Sequence, residues 1–364
     1  MQNVGTPRFY IDWNSYNNAM GVITSQSRFR STDDGAGLYS SIYNLNPANQ
    51  RYLSPDLDGV DDKSWGANSV YDNGWILDPE GINWIGLLGH NLGNTGTGFG
   101  ATFGGDFVGS DYPKAVDYNP IVNGGVPSTS DSKLYPELDG FTIAEIGGFS
   151  DVISTSDVRK LHLEFHNDTP STSMVQKFGA YCLGKYYDMP HSPDLKLKLS
   201  YEYDGVKNIQ TKGGATLSNA SYTKPADWGD RGAWQLGSDE DGKPISNIRS
   251  GRRVWDLSFS YLSDTDIMAK VAATTNLEAT NGDYEYSENP NENTLLYGTD
   301  FFSVVWNRTM GGHLPFIFNP SGGGTSPNNN PDQFAICRFV NNSLQYDQVA
   351  NNVYNIKLKI RECW

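Results

Sequence analysis

Residues 251–262 show the strict alternation of apolar and polar side chains that a half-buried β-strand requires. Successive side chains of an extended chain leave opposite faces, so one face of this segment collects Trp255, Leu257, Phe259 and Tyr261. The residues between them are polar. The pattern predicts a strand with one buried face, and the Ser-Asp-Thr-Asp run at residues 263–266 is suited to cap a helix.

The composition of the whole chain also favours β structure. Its 364 residues include 39 glycines, 18 prolines and 21 tyrosines, and aromatic residues make up 13% of the total. Strands favour aromatic side chains, whereas turns favour glycine and proline. We therefore predict a mainly β protein, and its length favours two domains of roughly 150 residues each.

Other segments of the chain have strand patterns as well. The nearly continuous apolar run at residues 82–92 predicts a strand that is buried on both faces. Further strands are predicted at residues 7–13, 141–146, 160–166, 178–185, 194–201, 334–340 and 353–361. Short strands separated by turn clusters are typical of a β-sandwich.

Two long polar stretches separate these strands. Residues 93–140 repeat Gly, Pro, Asn and Asp and are predicted to be an irregular insertion, and residues 218–250 are predicted to be a long excursion between two strands. The predicted division is an N-terminal strand and arm (1–29, able to join the C-terminal domain), a sandwich domain (30–205) and a second β-domain (206–364).

The clearest helix pattern covers residues 300–310. Asp300 is suited to cap its N-terminus, and Gly311 is suited to the left-handed position after its C-terminus. The apolar stripe of Phe301, Phe302, Val305 and Thr309 is predicted to pack on a sheet. We expect the aromatic face of residues 251–262 to pack on this helix. A second helix is predicted at residues 266–277.

Charge and cysteine content restrict the partners of the chain. With 27 basic and 42 acidic residues, the net charge of −15 argues against binding nucleic acid or an anionic membrane through a general electrostatic surface. Cys182, Cys337 and Cys363 are too few and too scattered for a disulfide framework. No membrane-spanning run and no signal-peptide pattern occurs, which predicts synthesis in a cytoplasm.

The sequence contains no catalytic signature, and it predicts no enzyme, no cofactor and no metal site. His162, Glu164 and His166 alternate along a predicted strand, but two histidines four positions apart lie about 13 Å from each other, too far to share one ion. An acidic stretch at residues 56–62 is read as a surface turn, with a calcium site at the edge of a sandwich as the alternative.

Two sets of residues are candidates for binding. His90 and Asn91 end a predicted strand, where they form either a structural turn or a carbohydrate-binding loop. Aromatic residues such as Trp228 and Trp234 stack on sugars or lie in subunit contacts, and contacts are favoured. We predict a subunit interface from four residues: Trp228, Trp234, Arg252 and Arg253.

Two loose patterns resemble proteins of tailed bacteriophages. Asn-Trp-Ile-Gly-Leu-Leu-Gly-His-Asn-Leu at residues 83–92, followed by strands at 159–165 and 177–185, resembles the galactose-binding-like (discoidin-like) sandwich of phage virion proteins. The strand at 251–262, the Gly-Gly-x-x-Pro-Phe-Ile-Phe segment at 311–318 and the closing strand resemble distal tail proteins. In those proteins the ring-forming domain tends to precede the sandwich, which is the reverse of the order here.

The resemblance implies a structural protein of a phage virion, assembled in the host cytoplasm. It would be a ring-forming tail or baseplate hub protein whose partners are further copies of itself, other tail proteins and, through the sandwich, a host surface glycan. The alternatives are a carbohydrate-binding module for host recognition, a capsid or neck decoration protein and, least favoured, a glycan-cleaving enzyme. The resemblance transfers no catalytic residue.

Overall fold

The architecture comes from a computed structural model of the chain. It describes residues 4–19, 29–31, 37–38, 51–52, 62–68, 82–90, 92–95, 97–104, 114–123, 134–149, 160–167, 177–178, 180–203, 206–220, 251–268 and 298–363. Strands dominate these residues, which confirms the predicted mainly β class.

The first half of the described chain consists of twelve strands and two short helices. The strands are β1 (Arg8–Asp12), β2 (Phe29–Ser31), β3 (Gly37–Leu38), β4 (Arg51–Tyr52), β5 (Asp62–Asn68), β6 (Trp84–His90), β7 (Thr97–Gly104), β8 (Lys114–Val122), β9 (Gly140–Phe149), β10 (Lys160–Asn167), β11 (Lys177–Phe178) and β12 (Ala180–Asp188). The helices are α1 (Trp13–Ala19) and α2 (Leu92–Thr95).

The second half adds eight strands and three short helical segments. The strands are β13 (Lys198–Glu202), β14 (Val206–Gln210), β15 (Thr216–Ala220), β16 (Arg252–Ser263), β17 (Phe316–Asn319), β18 (Ala335–Phe339), β19 (Tyr346–Ala350) and β20 (Val353–Glu362). The helical segments are α3 (Asp264–Ile267), a π-helix (Phe302–Asn307) and a 3-10 turn (Pro331–Gln333).

Sixteen strands form one hydrogen-bonded antiparallel sheet. Their order is β13-β16-β20-β18-β17-β1-β12-β6-β9-β8-β7-β10-β5-β2-β3, and β19 pairs with β20 beside this path. The two remaining pairs, β4 with β11 and β14 with β15, are separate two-stranded ribbons. This one sheet contains strands from both the predicted sandwich domain and the predicted second β-domain.

β1 links the two halves of this sheet. Arg8 is opposite Asp188 of β12 on one side and opposite Asn319 of β17 on the other. The N-terminal strand therefore belongs to both halves. The predicted boundary between residues 205 and 206 also falls inside the sheet, because β13 pairs with β16 across it. The division into domains stays a prediction.

The central strands are buried on both faces. All seven residues of β6 are buried, as the apolar run at residues 82–92 predicted. Ile85 and Leu87 point into one apolar cluster, whereas Trp84 and Leu88 point into a second cluster on the opposite face. β1 divides in the same way, since Phe9 and Tyr10 belong to different clusters.

β16 confirms the predicted strand and shows where its alternation stops. Trp255, Leu257 and Phe259 are buried, but Tyr261 is 80% exposed and has a φ of +63°. The register against β20 shifts between Phe259 and Leu262, which is a β-bulge. The bulge turns Tyr261 outwards and Leu262 inwards. After the strand, Ser263 and Asp266 form the capping box of α3, as predicted.

The segment predicted as a helix at residues 300–310 is helical, but as a π-helix. Asp300 accepts hydrogen bonds from the backbone N–H and the hydroxyl of Ser303 (2.9 and 2.8 Å), and Gly311 has a left-handed φ of +66°, so both predicted ends are confirmed. The ring of Phe301 contacts those of Phe9, Tyr187 and Phe339. The helix thus packs on β1, β12 and β18.

The face of β16 that was expected to pack on this helix lies in the same apolar cluster. Its Trp255 ring contacts Phe318 of β17 instead, at 5.2 Å between centroids. β16 stands four places from β1 in the sheet, about 19 Å at the usual strand spacing. β16 and the helix thus contribute to one shared core, and the direct packing of the two elements stays a prediction.

The prediction of an irregular insertion at residues 93–140 is wrong. This stretch contains β7 and β8, which are interior strands of the sheet. Glycine is common in turns, but Gly98 lies within β7. A Cβ at this position would overlap the ring of Tyr135. The glycine is needed for close packing in this strand, not for a turn.

Candidate interaction surface

His90 ends β6, as predicted, but its ring is buried. Nδ1 accepts the backbone N–H of Leu92 at 3.3 Å, so Nε2 carries the proton and donates to the hydroxyl of Thr142 at 2.9 Å. That hydroxyl donates to the carbonyl oxygen of Asn123 at 3.1 Å. The described contacts of His90 join three parts of the sheet. Asn91 lies outside the described residues, and sugar binding by this pair stays a prediction.

Arg253 lies at the start of β16, and its side chain forms hydrogen bonds with other residues of the same chain. Its guanidinium donates to both carboxylate oxygens of Glu362 (3.2 and 3.1 Å) and to the carbonyl oxygens of Asp332 and Phe334 (2.7 and 2.6 Å). Burial, the largest single influence, acts to lower the pKa of Arg253, but the charge and hydrogen bond of Glu362, together with smaller influences of neighbouring groups, raise the pKa on balance.

Of the other three predicted interface residues, the structure describes only Arg252. Arg252 is half-buried beside Arg253, and its backbone is opposite that of Glu202 in β13. Trp228 and Trp234 lie outside the described residues. The interface predicted from these four residues stays a prediction.

The three side chains that were considered as metal ligands belong to an interior strand of the sheet. β10, which contains His162, Glu164 and His166, lies between β5 and β7. Across the part of the chain that the structure describes, no three His, Cys, Asp or Glu side chains are grouped closely enough to hold a metal ion. The acidic stretch at residues 56–61 lies outside that part.

The three cysteines form no disulfide, and Cys363, directly after β20, is half-buried. Cys182 and Cys337 are buried, and burial raises their pKa well above that of an exposed thiol. Burial also raises the pKa of Cys363, to about 11. Low thiolate content makes these groups poor nucleophiles at neutral pH.

A surface that the sequence did not predict lies along residues 195–217. Five of the ten large apolar side chains exposed in the described residues fall in this stretch: Leu195, Tyr201, Tyr203, Ile209 and Leu217. The first three follow the outer border of the large sheet, where β13 ends the strand order. We call Leu195, Tyr201 and Tyr203 the edge surface. Clustered exposed apolar residues commonly mark a contact with another molecule.

Directly after the edge surface, residues 206–220 form a projecting ribbon, which we call the hairpin arm. Among the strands that the structure describes, β14 and β15 pair only with each other, and residues 207–210 and 212–219 are all exposed. The turn is closed by the backbone N–H of Thr211, which donates to the carbonyl oxygen of Ala215 at 2.8 Å, and Gly214 has a φ of +82°. A two-stranded ribbon with both faces in water has marginal stability alone.

The hairpin arm has two different faces. Ile209 is opposite Leu217, and Lys207 is opposite Asn219, so these four residues share one face. Ile209 and Leu217 are 62% and 59% exposed. The other face carries the polar pairs Asn208 with Ser218 and Gln210 with Thr216. At the base of the arm, Val206 is opposite Ala220 on this second face. The first face therefore carries the exposed apolar pair of Ile209 and Leu217 beside a lysine.

Part of this surface was visible in the sequence. The Thr-Lys-Gly-Gly run at residues 211–214 has the composition of a turn, but the strands on either side of it were not predicted. Their alternation is short, and Ile209 and Leu217 stand among polar residues. The hairpin could have been predicted from these two apolar residues, because they lie at equal distances on either side of a five-residue loop.

Comparison of this chain with protein-family models, curated proteins and solved structures finds no match. Of the helices that the structure describes, none is long and apolar enough to cross a membrane.

Proposed function

We propose that this protein is a structural subunit of a tailed-phage virion, most specifically a ring-forming protein of the tail or baseplate. The observation that carries the proposal is the projecting hairpin arm next to the edge surface. Within the described part of the chain, both carry exposed apolar side chains, and β13, β14 and β15 each have a strand edge that no other described strand pairs with. Natural proteins cover such edges, because an open edge recruits other strands. A subunit of an assembly covers them with its neighbours.

The phage setting rests on the resemblance of residues 83–92 and 177–185 to galactose-binding-like sandwiches and of residues 251–262 and 311–318 to distal tail proteins. The antiparallel, mainly β architecture is compatible with both. Within this proposal the first half is a sandwich that faces the host surface. The second half is a tail-type β-domain with one packed helix. The protein acts without catalysis, and its partners are other copies and other tail proteins.

The composition of purified particles tests this function. Quantitative mass spectrometry of the phage that encodes the chain should find its peptides at a constant copy number per particle, a small multiple of the ring symmetry. Negative-stain images of particles labelled with an antibody to this chain should place it on the tail. Absence of the protein from washed particles would contradict the proposal.

A further inference from the structure

We propose that the hairpin arm binds the acidic surface of a second copy of this chain, with its Ile209–Leu217 face against the neighbour. This inference rests on the proposed structural function and identifies the partner of the arm. Three observations support it: the projection of the arm, the apolar pair on one face and the charge of the arm relative to the rest of the chain.

Charge identifies the partner. The hairpin arm contains Lys207 and Lys212 and no Asp, Glu or Arg. It thus carries two of the 27 basic residues and none of the 42 acidic residues, which leaves 25 basic against 42 acidic side chains elsewhere. A basic arm on an acidic body is complementary to another copy of the same body. Complementary charge steers association and fixes the orientation of partners.

The positions of the two lysines agree with this contact. Lys207 is on the same face as Ile209 and Leu217, and Lys212 is at the tip of the arm. A Cβ added at Gly213 or Gly214 would meet no atom within 4 Å, so the tip is surrounded by open space. The arm can therefore reach a neighbour without rearrangement of its own subunit.

An arm-to-body contact is made either reciprocally in a two-fold dimer or head-to-tail, and the ring of the proposed function requires the head-to-tail form. A heterologous contact of this kind gives a ring if its rotation closes and a filament if it does not. It also leaves the edge surface beside the junction, where Tyr201 and Tyr203 can extend the contact. A contact extended in this way covers the hairpin arm together with Tyr201 and Tyr203 of the edge surface.

The main experiment compares variants of the full chain by sedimentation velocity over a range of concentrations. Ile209→Thr with Leu217→Thr should weaken self-association about tenfold or more, because threonine keeps the strand preference and removes apolar surface. The matched control is Asn208→Thr with Ser218→Thr, which places the same residue type on the opposite face. The control should associate like the wild type.

A second variant, Lys207→Glu with Lys212→Glu, tests the contribution of charge. This variant should also associate about tenfold more weakly or worse. Association of the wild type should fall as NaCl is raised from about 50 to 500 mM, since salt screens exposed charges. Circular dichroism and thermal unfolding at low protein concentration confirm that each variant is folded.

A second measurement identifies the contact directly. A mixture of unlabelled and ¹⁵N-labelled protein is treated with a carbodiimide, which joins a lysine to a carboxylate with no spacer. Peptides that link Lys207 or Lys212 to an Asp or Glu of the other isotope would support the proposal. A wild type that stays monomeric, or variants that associate as tightly as the wild type, would overturn it.

These outcomes separate the inference from the proposed function. A protein found on the tail at a constant copy number, whose hairpin variants still associate normally, retains its function and refutes the contact. A protein absent from particles, whose hairpin variants lose self-association, supports the contact and refutes the function.

Discussion

Arg253 donates a hydrogen bond to each carboxylate oxygen of Glu362, a residue of the strand next to its own in the sheet. The backbone N–H of Arg253 also donates to Glu362, at 2.9 Å. The side chains of Arg253 and Glu362 are only 17% and 6% exposed. The pair therefore attaches the start of β16 to the end of β20 in a place that water hardly reaches.

Loss of this carboxylate should be costly. Glu362→Gln leaves a buried guanidinium without its counter-charge, and we expect the free energy of unfolding to fall by about 3 kcal/mol. Urea unfolding measures the change. Glu202→Gln is the control, because the Arg361–Glu202 pair has side chains that are 30% and 40% exposed and should contribute less than about 1 kcal/mol. Equal losses in the two variants would contradict this interpretation.

A second prediction concerns Gly184 in β12. A Cβ at this position would overlap the carbonyl oxygen of Ile11 and lie 2.9 Å from the ring of Trp13. Gly184→Ala should destabilise the protein by about 2 kcal/mol, because backbone and ring must move apart. Gly213→Ala at the tip of the hairpin arm meets no atom within 4 Å and should be close to neutral. Thermal unfolding distinguishes the two, and a neutral Gly184→Ala would refute the close approach.

The bulge in β16 gives a third prediction. Tyr261 has a φ of +63°, which costs a residue with a Cβ about 1 kcal/mol and costs glycine little. Tyr261→Gly should therefore be more stable than Tyr261→Ala by up to about 1 kcal/mol, although both lose the ring. At Ser258 in the regular part of the strand, Ala should be the more stable of the two. The same order at both positions would argue against the bulge.

Alkaline conditions should destabilise the fold. Burial raises the pKa of Cys363 to about 11 in the folded state, whereas an unfolded thiol ionises near about 8.5. Below about pH 8.5 both states are protonated. Above it the unfolded state loses its proton first, so stability falls by about 1.4 kcal/mol per pH unit for this thiol. The loss ends near the folded pKa.

Urea unfolding of the wild type and of Cys363→Ala at pH 8, 9 and 10 tests this prediction. Between pH 9 and 10 the variant should lose about 1.4 kcal/mol per pH unit less than the wild type. The buried phenols of Tyr10 and Tyr181, whose pKa burial also raises, affect both proteins alike. Parallel pH profiles would mean that the Cys363 thiol is not shielded in the folded state.

Local patterns of the sequence predicted several elements well. The ends of β16 and β20, the capping box at Ser263 and the left-handed Gly311 follow from alternation and from local preferences of side chains. These features depend on neighbours within a few residues. The burial of both faces of β6 was equally clear, because residues 84–89 are all apolar or glycine and neither face carries a polar side chain for water.

Other features depend on distant contacts and could not be predicted. The bulge at Tyr261 needs Asn355, whose side-chain oxygen accepts the backbone N–H of Tyr261 at 3.0 Å. The burial of His90 depends on Thr142, which lies in another strand. The contact surface was expected at His90 and Arg253, yet the described contacts of both are internal. Half of the large apolar side chains exposed in the described residues lie instead on the edge surface and the hairpin arm.

The place of β1 has a consequence for how the protein is made. Arg8 is synthesised well before its partner Asn319 in β17. At about 5–20 residues per second, the first strand waits about 15–60 s before its second neighbour exists. During that time Phe9 and Tyr10 have only part of their packing and are exposed to other chains. We expect nascent chains to need a chaperone, and yield to improve at low temperature.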